Sequence, residues 1–422
     1  MMHSYSKILS DLININRSGG VKLGLKNCLE IDKLLDFPSR SFPSVHIAGT
    51  NGKGSVSTKI AAAYEADGMK VGLYTSPHIA CFRERIRING KMISEEQVQT
   101  HLSRLFNLCE KYDIKATFFE LTTMLAFLHF SSEKVDRAIL ETGLGGRLDA
   151  TNIVTPILSV ITSINLDHTE ILGSTIESIT KEKAGIIKPG VRIVIGPTVD
   201  KIIIDPLARK NGSRCIEVSG VYQDYHEENR AIAKAALEEL KLPLQAIEKG
   251  IEALPPCRME TFSKSDLIKK GLHHPLPKTV ILDAAHNPDG LKHLKQAIDC
   301  RYGQIPLRFI LGLSSNKDVQ GCLSVIGKKA AGYHLVEGCN ERAEPKKQLA
   351  NHLADLGVSP SKIACEFSIE SAITNAFQFA EEKNEIVIVC GTFFIMKEAR
   401  KALGIREPQD PEDMNEGFFL TK

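Results

Sequence analysis

The sequence predicts an α/β protein in which a P-loop, parallel-sheet ATPase-type domain is followed by a smaller Rossmann-like α/β domain. Three observations predict this fold class. Short apolar runs alternate with segments of helical spacing, and the runs end in polar clusters. The first clear run enters a glycine-rich turn with a lysine, which is typical of a phosphate-binding loop. The pair Pro255-Pro256 then breaks the pattern, which indicates a linker between two domains.

The elements of the first domain, residues 1–253, follow one another in α/β order. Ser94 precedes an acidic pair and an amphipathic segment, so we expect it to be the N-cap of a long helix. We predict a helical lead-in over 1–43, strands at 45–48, 70–74, 135–140, 157–164 and 191–195, and helices over 58–66, from 95 onward, over 118–130, around 181–185 and over 224–240.

Four of the predicted strands are followed by polar clusters. Because ligands bind outside the carboxyl ends of the strands in such sheets, these clusters are expected to form one composite site. The clusters lie at 51–55, 75–78, 141–149 and 165–168.

The turn after the first strand has the composition of a phosphate-binding loop. Its glycines let backbone N–H groups crowd around phosphate oxygens, and Lys53 supplies a mobile cation. The spacing departs from the usual pattern, since Ile47 stands where a glycine is common and Gly54 separates Lys53 from the hydroxyl of Ser55. The alternative is a glycine-rich turn that binds no ligand.

Glu141 and His168 follow two predicted parallel strands. A carboxylate and an imidazole beside a phosphate loop predict a magnesium site, although Mg²⁺ prefers oxygen ligands. Ser76 could add a hydroxyl ligand, or it is only a turn residue. The alternative for His168 is a hydrogen-bonded histidine that orients Asp167 or a water. Composition alone places Lys183 at the surface.

An arginine-rich loop follows the second strand. Arg83, Arg85 and Arg87 alternate with other residue types, which favours a short hairpin with one cationic face. Such a hairpin is either solvated or an anion-binding flap, and the sequence leaves both open.

The second domain is expected over 258–422, after a linker at 254–257. Asp283 and His286 follow a predicted strand and could hold a nucleotide, while Asn287 with Pro288 also has good helix-capping chemistry. Arg258 is either a phosphate ligand or a generic surface arginine. The clearest strands of this domain are predicted at 279–282, 308–311 and 386–390.

Composition bounds the functional class. A chain of 422 residues is long enough for two or three domains with their own cores. A net charge of +2 gives no electrostatic case for binding nucleic acid or an anionic membrane. Ten cysteines without a CxxC pair suggest reduced, mostly buried thiols. With no apolar leader and no membrane-length apolar run, we expect a cytoplasmic, monomeric enzyme that acts on small molecules.

Together these residues resemble the folylpolyglutamate synthase and dihydrofolate synthase family, within the Mur ligase superfamily. The matching segments span most of the chain and are specific in combination. One departure is Ala284, where the family more often has glycine. The segments are HIAGTNGKGS (46–55), TSPH with FRERIRING (75–90), ETGLGGRLDATN (141–152), ITSINLDHTEILG with EKAGIIK (161–188), and DAAHNP (283–288).

The resemblance implies a role for each group of candidate residues. Lys53, Glu141, His168 and Lys183 would be catalytic, with Lys183 carbamylated by CO₂. ATP would be bound by Thr50, Asn51, Gly52, Lys53, Gly54, Ser55, Asn229, Arg258, Asp283 and His286. Ser76, Glu141 and His168 would hold Mg²⁺, and a monovalent cation is also implied. The pterin or folate would contact Pro77, His78, Arg85, Thr117, Phe119, Asp149 and Ala150.

The resemblance also implies a reaction in folate biosynthesis. A carboxylate of dihydropteroate or a folate attacks the γ-phosphate of ATP, and the amine of L-glutamate then attacks the acyl phosphate to give an amide, ADP and phosphate. Both first reactants are anions, so the site must neutralise their repulsion. The acyl phosphate must also be kept from water, and closure of the second domain, hinged at 254–257, is the expected device.

Two other functions compete with this interpretation. One is a ligase of the same superfamily that acts on a UDP-linked muramyl precursor, against which the 75–78 loop and the 117–119 and 149–150 cluster favour a pterin. The other is an ATP-dependent switch or binding protein without ligase chemistry. Glutamate-dependent phosphate release with a folate would exclude the latter.

Overall fold

This computed structural model describes residues 4–19, 24–327, 330–338 and 342–410, without the side chains of 16–19. The chain divides into two compact units. One contains the chain up to Val221 together with His226–Leu254, and the other contains Tyr222–Tyr225 and the described chain from Pro255 onward. We propose that these units are the two predicted domains, 1–253 and 258–422.

The first unit is built on an eight-stranded sheet with the order β4-β3-β2-β5-β1-β6-β7-β8. The central strand β1 pairs in parallel with β5 on one side and with β6 on the other. Among these eight strands, only the β2–β3 and β3–β4 pairings are antiparallel, so the predicted mostly parallel sheet is confirmed. The strands are β1 (Ser44–Ala48), β2 (Val71–Tyr74), β3 (Ile86–Ile88), β4 (Lys91–Met92), β5 (Arg137–Glu141), β6 (Leu158–Ile161), β7 (Ile193–Ile195) and β8 (Cys215–Glu217).

Helices cover both faces of this sheet, and their starts follow local capping chemistry. Ser94 accepts a hydrogen bond from the Gln97 amide and caps α4, as predicted. Thr117 and Glu120 form the same reciprocal cap at α5. The helices of this part of the chain are α1 (Tyr5–Gly19), α2 (Lys26–Leu34), α3 (Lys53–Ala66), α4 (Glu95–Lys111), α5 (Phe118–Ser132), α6 (Thr169–Leu172), α7 (Ile176–Ala184), α8 (Lys201–Lys210), α9 (Tyr225–Glu239) and α10 (Leu244–Gly250).

Two apolar clusters form part of the core of the first unit. Residues of α1, α2, α4 and α5 pack with β2 and β5 in one cluster, and residues of α6, α7 and α8 pack with β6 and β7 in the other. The predicted buried helix is confirmed, since α5 is buried from Phe118 through Phe130 apart from the partly buried Phe119. Burying each large apolar side chain contributes about 1.5–3 kcal/mol, so α5 is a main support of the sheet around the interior strand β5.

The arginine-rich loop differs from its prediction. Residues 82–85 form a 3₁₀ turn, because the Glu84 carboxylate accepts the amides of Ala80 and Cys81 at 2.8 Å and winds the chain before β3 begins. The hairpin is confined to β3 and β4. The expectation of one cationic face is wrong, since Arg85 is 1% exposed and its guanidinium lies 5.3 Å from the centre of the Phe118 ring.

The second unit has a six-stranded sheet in the order β13-β12-β11-β14-β10-β9, and of these six strands only β9 runs antiparallel. Its strands are β9 (Glu260–Ser263), β10 (Thr279–Asp283), β11 (Leu307–Leu311), β12 (Gly332–Leu335), β13 (Ile363–Cys365) and β14 (Ile386–Cys390). Its helices are α11 (Lys264–Lys269), α12 (Pro288–Tyr302), α13 (Val319–Ile326), α14 (Lys346–Asp355), α15 (Ile369–Lys383) and α16 (Met396–Ala402).

The nine cysteines in the described ranges are free thiols, and five of them are buried. Cys339 lies outside the described residues. Across the described ranges, none of the helices combines the length and the apolar character needed to cross a bilayer.

Candidate active site

The loop between β1 and α3 is held by backbone conformations that glycine permits. Gly49 has φ 156° and Gly52 has φ 84°, and a Cβ at either position would overlap a neighbouring side chain, Thr162 or Asn229. The helix α3 begins at Lys53, earlier than the predicted 58, because Gly52 is its N-cap. The loop therefore presents Lys53 and the first amides of α3 at the carboxyl end of the central strand.

Two hydroxyl residues after β6 fix this loop from the neighbouring strand. The Thr50 amide donates to the Ser163 carbonyl at 2.8 Å, and the Asn51 amide donates to Ser163 Oγ at 2.9 Å. Thr162 Oγ1 donates to the Asn51 carbonyl at 2.6 Å. Sequence reasoning did not single out Thr162 or Ser163, although both stand in the strand-end segment that carried the resemblance.

Two lysines converge on the loop. Lys53 Nζ donates to the carbonyls of Gly49 and Thr50 at 3.1 and 3.3 Å, and Lys183 Nζ donates to the Gly49 carbonyl at 2.8 Å. Lys183 is only 4% exposed, so its expected surface position is wrong. Burial, followed by repulsion from Lys53, lowers the pKa of Lys183 to about 7, against the opposing attraction of Asp167 and Asp149.

Glu141, the last residue of β5, is buried beside the start of α3. Its Oε2 accepts the Ser76 amide at 3.2 Å, and a Cβ at Gly54 would lie 3.4 Å from the same oxygen. The structure therefore brings together three of the predicted residues, Glu141, Ser76 and Gly54. A buried carboxylate in this position faces the first turn of the helix that follows the phosphate-binding loop.

His168 lies in the segment after β6 and has φ 51°. Its amide donates to Asp167 Oδ1 at 2.9 Å, and its Nε2 lies 3.9 Å from Asp167 Oδ2. The alternative in which His168 orients Asp167 is thus consistent with the geometry. The membership of His168 in a metal site with Glu141 stays a prediction.

The oxygen donors present fit a hard divalent cation. Mg²⁺ is commonly held by one or two carboxylates together with substrate phosphates and waters, and Glu141 with the Ser76 hydroxyl supplies donors of this type. The His168 imidazole is a less usual ligand for Mg²⁺. In the described part of the chain, His, Cys, Asp and Glu side chains form no group of three or more that could hold a metal ion.

Asn229 reaches the loop from α9. It is buried, and its Oδ1 occupies the space that a Cβ at Gly52 would need. Ser55 is also buried in the first turn of α3. Asn229 and Ser55, which were both predicted to bind ATP, therefore lie at the phosphate-binding loop.

The segment after Glu141 is organised by Asp149. Its Oδ2 accepts the amides of Gly143 and Leu144, each at 2.9 Å. Burial raises the pKa of Asp149, and its hydrogen bonds oppose that rise. Phe119 packs against Gly143, where no Cβ would fit, and Ala150 is buried directly after Asp149. The structure thus gathers Phe119, Asp149 and Ala150 in one region.

Three other predicted pterin residues have clear structural partners. The Thr117 hydroxyl accepts the Glu120 amide at 3.2 Å, so it serves as a helix cap. The Arg85 Nε donates to His78 Nδ1 at 2.9 Å, and both side chains are buried. The peptide bond between Ser76 and Pro77 is cis. Contact of these residues with a pterin stays a prediction.

In the second unit, Asp283 is a buried hub at the end of β10. It accepts hydrogen bonds from Tyr225 Oη at 2.7 Å, from the Met259 amide at 2.8 Å and from the Ala285 amide at 2.8 Å. Sequence reasoning missed Tyr225, because only the fold brings it to Asp283. This bonding fixes the polypeptide on both sides of the strand end.

Arg258 and His286 share one aromatic neighbour. The Arg258 guanidinium lies 4.9 Å from the centre of the Phe393 ring, and the His286 ring lies 5.8 Å from it. Asn287 Oδ1 accepts the Gly290 amide at 2.7 Å, and Pro288 follows at the first helical position, so the predicted cap of α12 is confirmed. A nucleotide role for Arg258, Asp283 and His286 stays a prediction.

Comparison with protein families finds two matching profiles. The Mur ligase middle domain matches residues 47–238, and the Mur ligase glutamate ligase domain matches residues 258–393. The chain is also similar to the dihydrofolate synthase/folylpolyglutamate synthase of Bacillus subtilis, with 31% identity over 91% of this chain and 96% of that protein.

Two solved structures show the same likeness in three dimensions. E. coli FolC, solved in complex with DHPP and ADP, aligns with a TM-score of 0.84 and 29% identity over 95% of this chain and 98% of that one. The bifunctional folylpolyglutamate synthase/dihydrofolate synthase of Yersinia pestis, complexed with AMPPNP and Mn, aligns with a TM-score of 0.82 and 30% identity over 96% of this chain and 100% of that one.

Proposed function

Since this chain belongs to the dihydrofolate synthase/folylpolyglutamate synthase family of Mur ligases, we propose that it is an ATP-dependent ligase that adds L-glutamate to dihydropteroate, to folates, or to both. One observation carries this proposal. The phosphate-binding loop, the buried carboxylate of Glu141 and the buried amine of Lys183 all lie at the carboxyl edge of one parallel sheet. This is where such sheets bind their substrates.

The chain's own groups bind the triphosphate in this proposal. Lys53 and the first amides of α3 place positive charge at the loop, which stabilises phosphate oxygens. Thr50 and Asn51 hold the loop in shape through their bonds to Ser163, and Asn229 supports Gly52. Ser55 is buried in the first turn of α3 and is proposed to contact the nucleotide. Arg258, Asp283 and His286 are proposed as nucleotide contacts within the second unit.

Glu141 and Ser76, with His168, are the proposed ligands of a divalent cation. When bound, Mg²⁺ would neutralise phosphate charge and polarise the γ-phosphoryl group. Glu141 is already oriented by the Ser76 amide, so its carboxylate needs little rearrangement to accept a cation.

Lys183 is proposed to carry a carbamate. Only a neutral amine attacks CO₂, and a pKa of about 7 leaves much of Lys183 neutral at physiological pH. Its nitrogen would form a bond to the carbon of CO₂ and release one proton, giving an anionic carbamate. The nearby Lys53 cation would favour that anion over the ammonium form. We also propose a monovalent cation, as the family resemblance implies.

The reaction then proceeds in two transfers. A substrate carboxylate oxygen bonds to the γ-phosphorus as the bond to ADP breaks. The glutamate amine next attacks the acyl carbon and loses a proton, and phosphate leaves with the former carboxylate oxygen. Lys53 and the loop amides lower the repulsion between the two anions of the first transfer, and this electrostatic positioning carries most of such catalysis.

The pterin end of the substrate is proposed to lie near Phe119, Asp149 and Ala150, with Pro77, His78, Arg85 and Thr117 supporting that region. Phe119 offers an aromatic face, and Asp149 is the one buried carboxylate of the segment that follows Glu141. Its two oxygens already accept four hydrogen bonds from Gly143, Leu144 and Thr151, so Asp149 is proposed to shape the pterin site by holding the loop.

Substrate competition tests the function directly. ADP release is measured with dihydropteroate, tetrahydrofolate or a UDP-linked muramyl precursor, each with and without L-glutamate. We expect glutamate-dependent ADP release with one or both pterins and none with the muramyl substrate. ADP release that does not depend on L-glutamate would instead support an ATP-dependent switch protein without ligase chemistry. Turnover of the muramyl substrate alone would support a ligase that acts on muramyl precursors.

A further inference from the structure

We propose that His46 and Thr151 are positioning residues that hold Asp149, and with it the 143–149 loop, in the orientation that binds the pterin. The inference rests on the proposed function, in which Asp149 belongs to the region that holds that substrate. It concerns a continuous chain of hydrogen bonds that begins in the central strand and ends at two backbone amides of the loop.

His46 is the anchor of this chain. It lies in the middle of β1, is fully buried, and places Nε2 at 2.8 Å from Thr151 Oγ1. The strand that carries His46 leads directly into the phosphate-binding loop. Burial, with a smaller effect of Lys188, lowers the pKa of His46 to about 3, so the imidazole is neutral.

The direction of each hydrogen bond follows from the chemistry of the groups. An ionised carboxylate only accepts, so the Thr151 hydroxyl donates to Asp149 Oδ1. With its proton used there, Thr151 Oγ1 accepts from His46, and the neutral ring must carry its hydrogen on Nε2. His46 Nδ1 is buried and has no hydrogen-bond partner among the described residues, as an unprotonated nitrogen in an apolar strand would be.

Asp149 connects the Thr151 hydroxyl to the backbone of the 143–149 loop. Oδ1 also accepts the Thr151 amide at 3.0 Å, while Oδ2 accepts the Gly143 and Leu144 amides. The carboxylate is therefore fixed on both oxygens, and its plane is set by the Thr151 hydroxyl on one side. Rotation of that plane would release the amides that shape the loop.

The loop itself joins two parts of the proposed site. Gly143 packs against Phe119, while Gly146 lies against the Lys183 carbonyl. The Arg147 amide donates to the Glu182 carbonyl at 2.7 Å. A shift of the loop would therefore affect the proposed pterin region first, through Asp149 and Phe119. The phosphate-binding loop after β1 would stay in place, because Thr162 and Ser163 hold it independently.

This arrangement predicts a selective defect. Thr151→Val keeps the shape of the side chain but removes the hydroxyl, which leaves the His46 N–H without an acceptor and frees one side of Asp149. Asp149 and the loop would shift to relieve this unmet donor, and restoring their orientation on substrate binding would weaken that binding by about tenfold. The defect should appear in the pterin substrate and not in ATP.

The test uses two matched pairs in the full chain. Thr151→Val is compared with Thr151→Ser, which keeps the hydroxyl, and His46→Met with His46→Gln, whose amide nitrogen can replace Nε2. We expect Thr151→Val and His46→Met to raise the KM for dihydropteroate about tenfold, with kcat and the KM for ATP within about twofold of the wild type. Thr151→Ser and His46→Gln should restore the wild-type values.

A second readout does not depend on turnover. Hydrogen exchange of the peptide spanning 141–151 should be faster in Thr151→Val than in Thr151→Ser, because the Gly143 and Leu144 amides lose their fixed acceptor. Equal exchange in the two variants, or an equal rise in the KM for ATP and dihydropteroate, would overturn the inference. Failure of the proposed function is distinct, since it would appear as no glutamate-dependent ADP release from the wild-type chain.

Discussion

Lys53 and Lys183 donate to the same carbonyl oxygen, that of Gly49, at 3.1 and 2.8 Å. Two amines that share one acceptor in a buried place cannot both be charged without strong repulsion. Burial, followed by this repulsion from Lys53, lowers the pKa of Lys183, the more buried of the two. In the proposed function the pair divides its roles, with Lys53 as the cation for phosphate and Lys183 as the amine that is carbamylated.

Replacing Lys53 with alanine should abolish most ligase turnover and leave the fold intact. The Lys53 amine donates to two backbone carbonyls of its own loop and the side chain is half-buried, so its loss removes positive charge without opening a core cavity. Loss of one electrostatic group at a developing charge costs about 100-fold or more in kcat. Steady-state ADP release measures this, with Lys70→Ala, an exposed ion-pair residue, as the control. Normal activity in Lys53→Ala would refute the assignment.

Replacing Lys183 with alanine should reduce activity in a way that short carboxylic acids partly restore. The acid would occupy the place of the carbamate and return its negative charge. Lys181→Ala is the matched control, since Lys181 is exposed on the same helix and pairs only with Glu177. Activity is titrated against acetate or formate for both variants. Full activity of the Lys183→Ala variant without added acid would contradict the carbamate. So would a mass measurement of the wild-type protein under CO₂ that shows Lys183 unmodified.

The stability of the protein should rise with pH because of Lys183. The unfolded chain holds this proton up to a pKa near 10.5, whereas the folded chain releases it at about 7. Between those values the unfolded state binds more protons, so the free energy of unfolding increases by at most about 1.4 kcal/mol per pH unit, and below about pH 7 the gain is absent.

Urea denaturation in CO₂-free buffer at about pH 7.5 and about pH 9.5 measures this slope. Lys183→Met should show a flatter pH dependence than the wild type, and Lys181→Met should match the wild type. Equal slopes for Lys183→Met and the wild type would mean that the Lys183 amine keeps its ordinary pKa in the folded state.

Glu141→Gln should weaken metal binding while preserving the hydrogen bond from the Ser76 amide, because the amide oxygen still accepts. We expect the Mg²⁺ concentration for half-maximal activity to rise about tenfold or more. The thermal shift that MgADP produces, measured apart from turnover, should shrink as well. The control is Glu177→Gln, at an exposed glutamate. An unchanged Mg²⁺ dependence would remove Glu141 from the metal site.

Local patterns predicted much of the fold. The β1–α3 loop depends on glycine conformations and a lysine in one short segment, and the caps at Ser94 and Asn287 depend on side chains three residues or fewer from the amides they bind. The structural roles of such residues can be predicted from the sequence because their partners are close in the chain.

Residues whose partners are distant were harder to place. Lys183 is buried because α7 packs beside a loop that lies 134 residues earlier, and no property of its own segment signals that burial. Arg85 is buried for the same reason, since its ring partner Phe118 belongs to another helix. Tyr225 donates a hydrogen bond to Asp283, which lies 58 residues later in the chain. Each of these positions is determined by tertiary packing, and local patterns gave no sign of them.

Isotope transfer tests the central claim most directly. Dihydropteroate labelled with oxygen-18 in its carboxylate is incubated with ATP, Mg²⁺, L-glutamate and the full chain, and the released phosphate is analysed by mass spectrometry. An acyl phosphate intermediate predicts one labelled oxygen in each phosphate formed. Unlabelled phosphate, or label found in AMP, would contradict it.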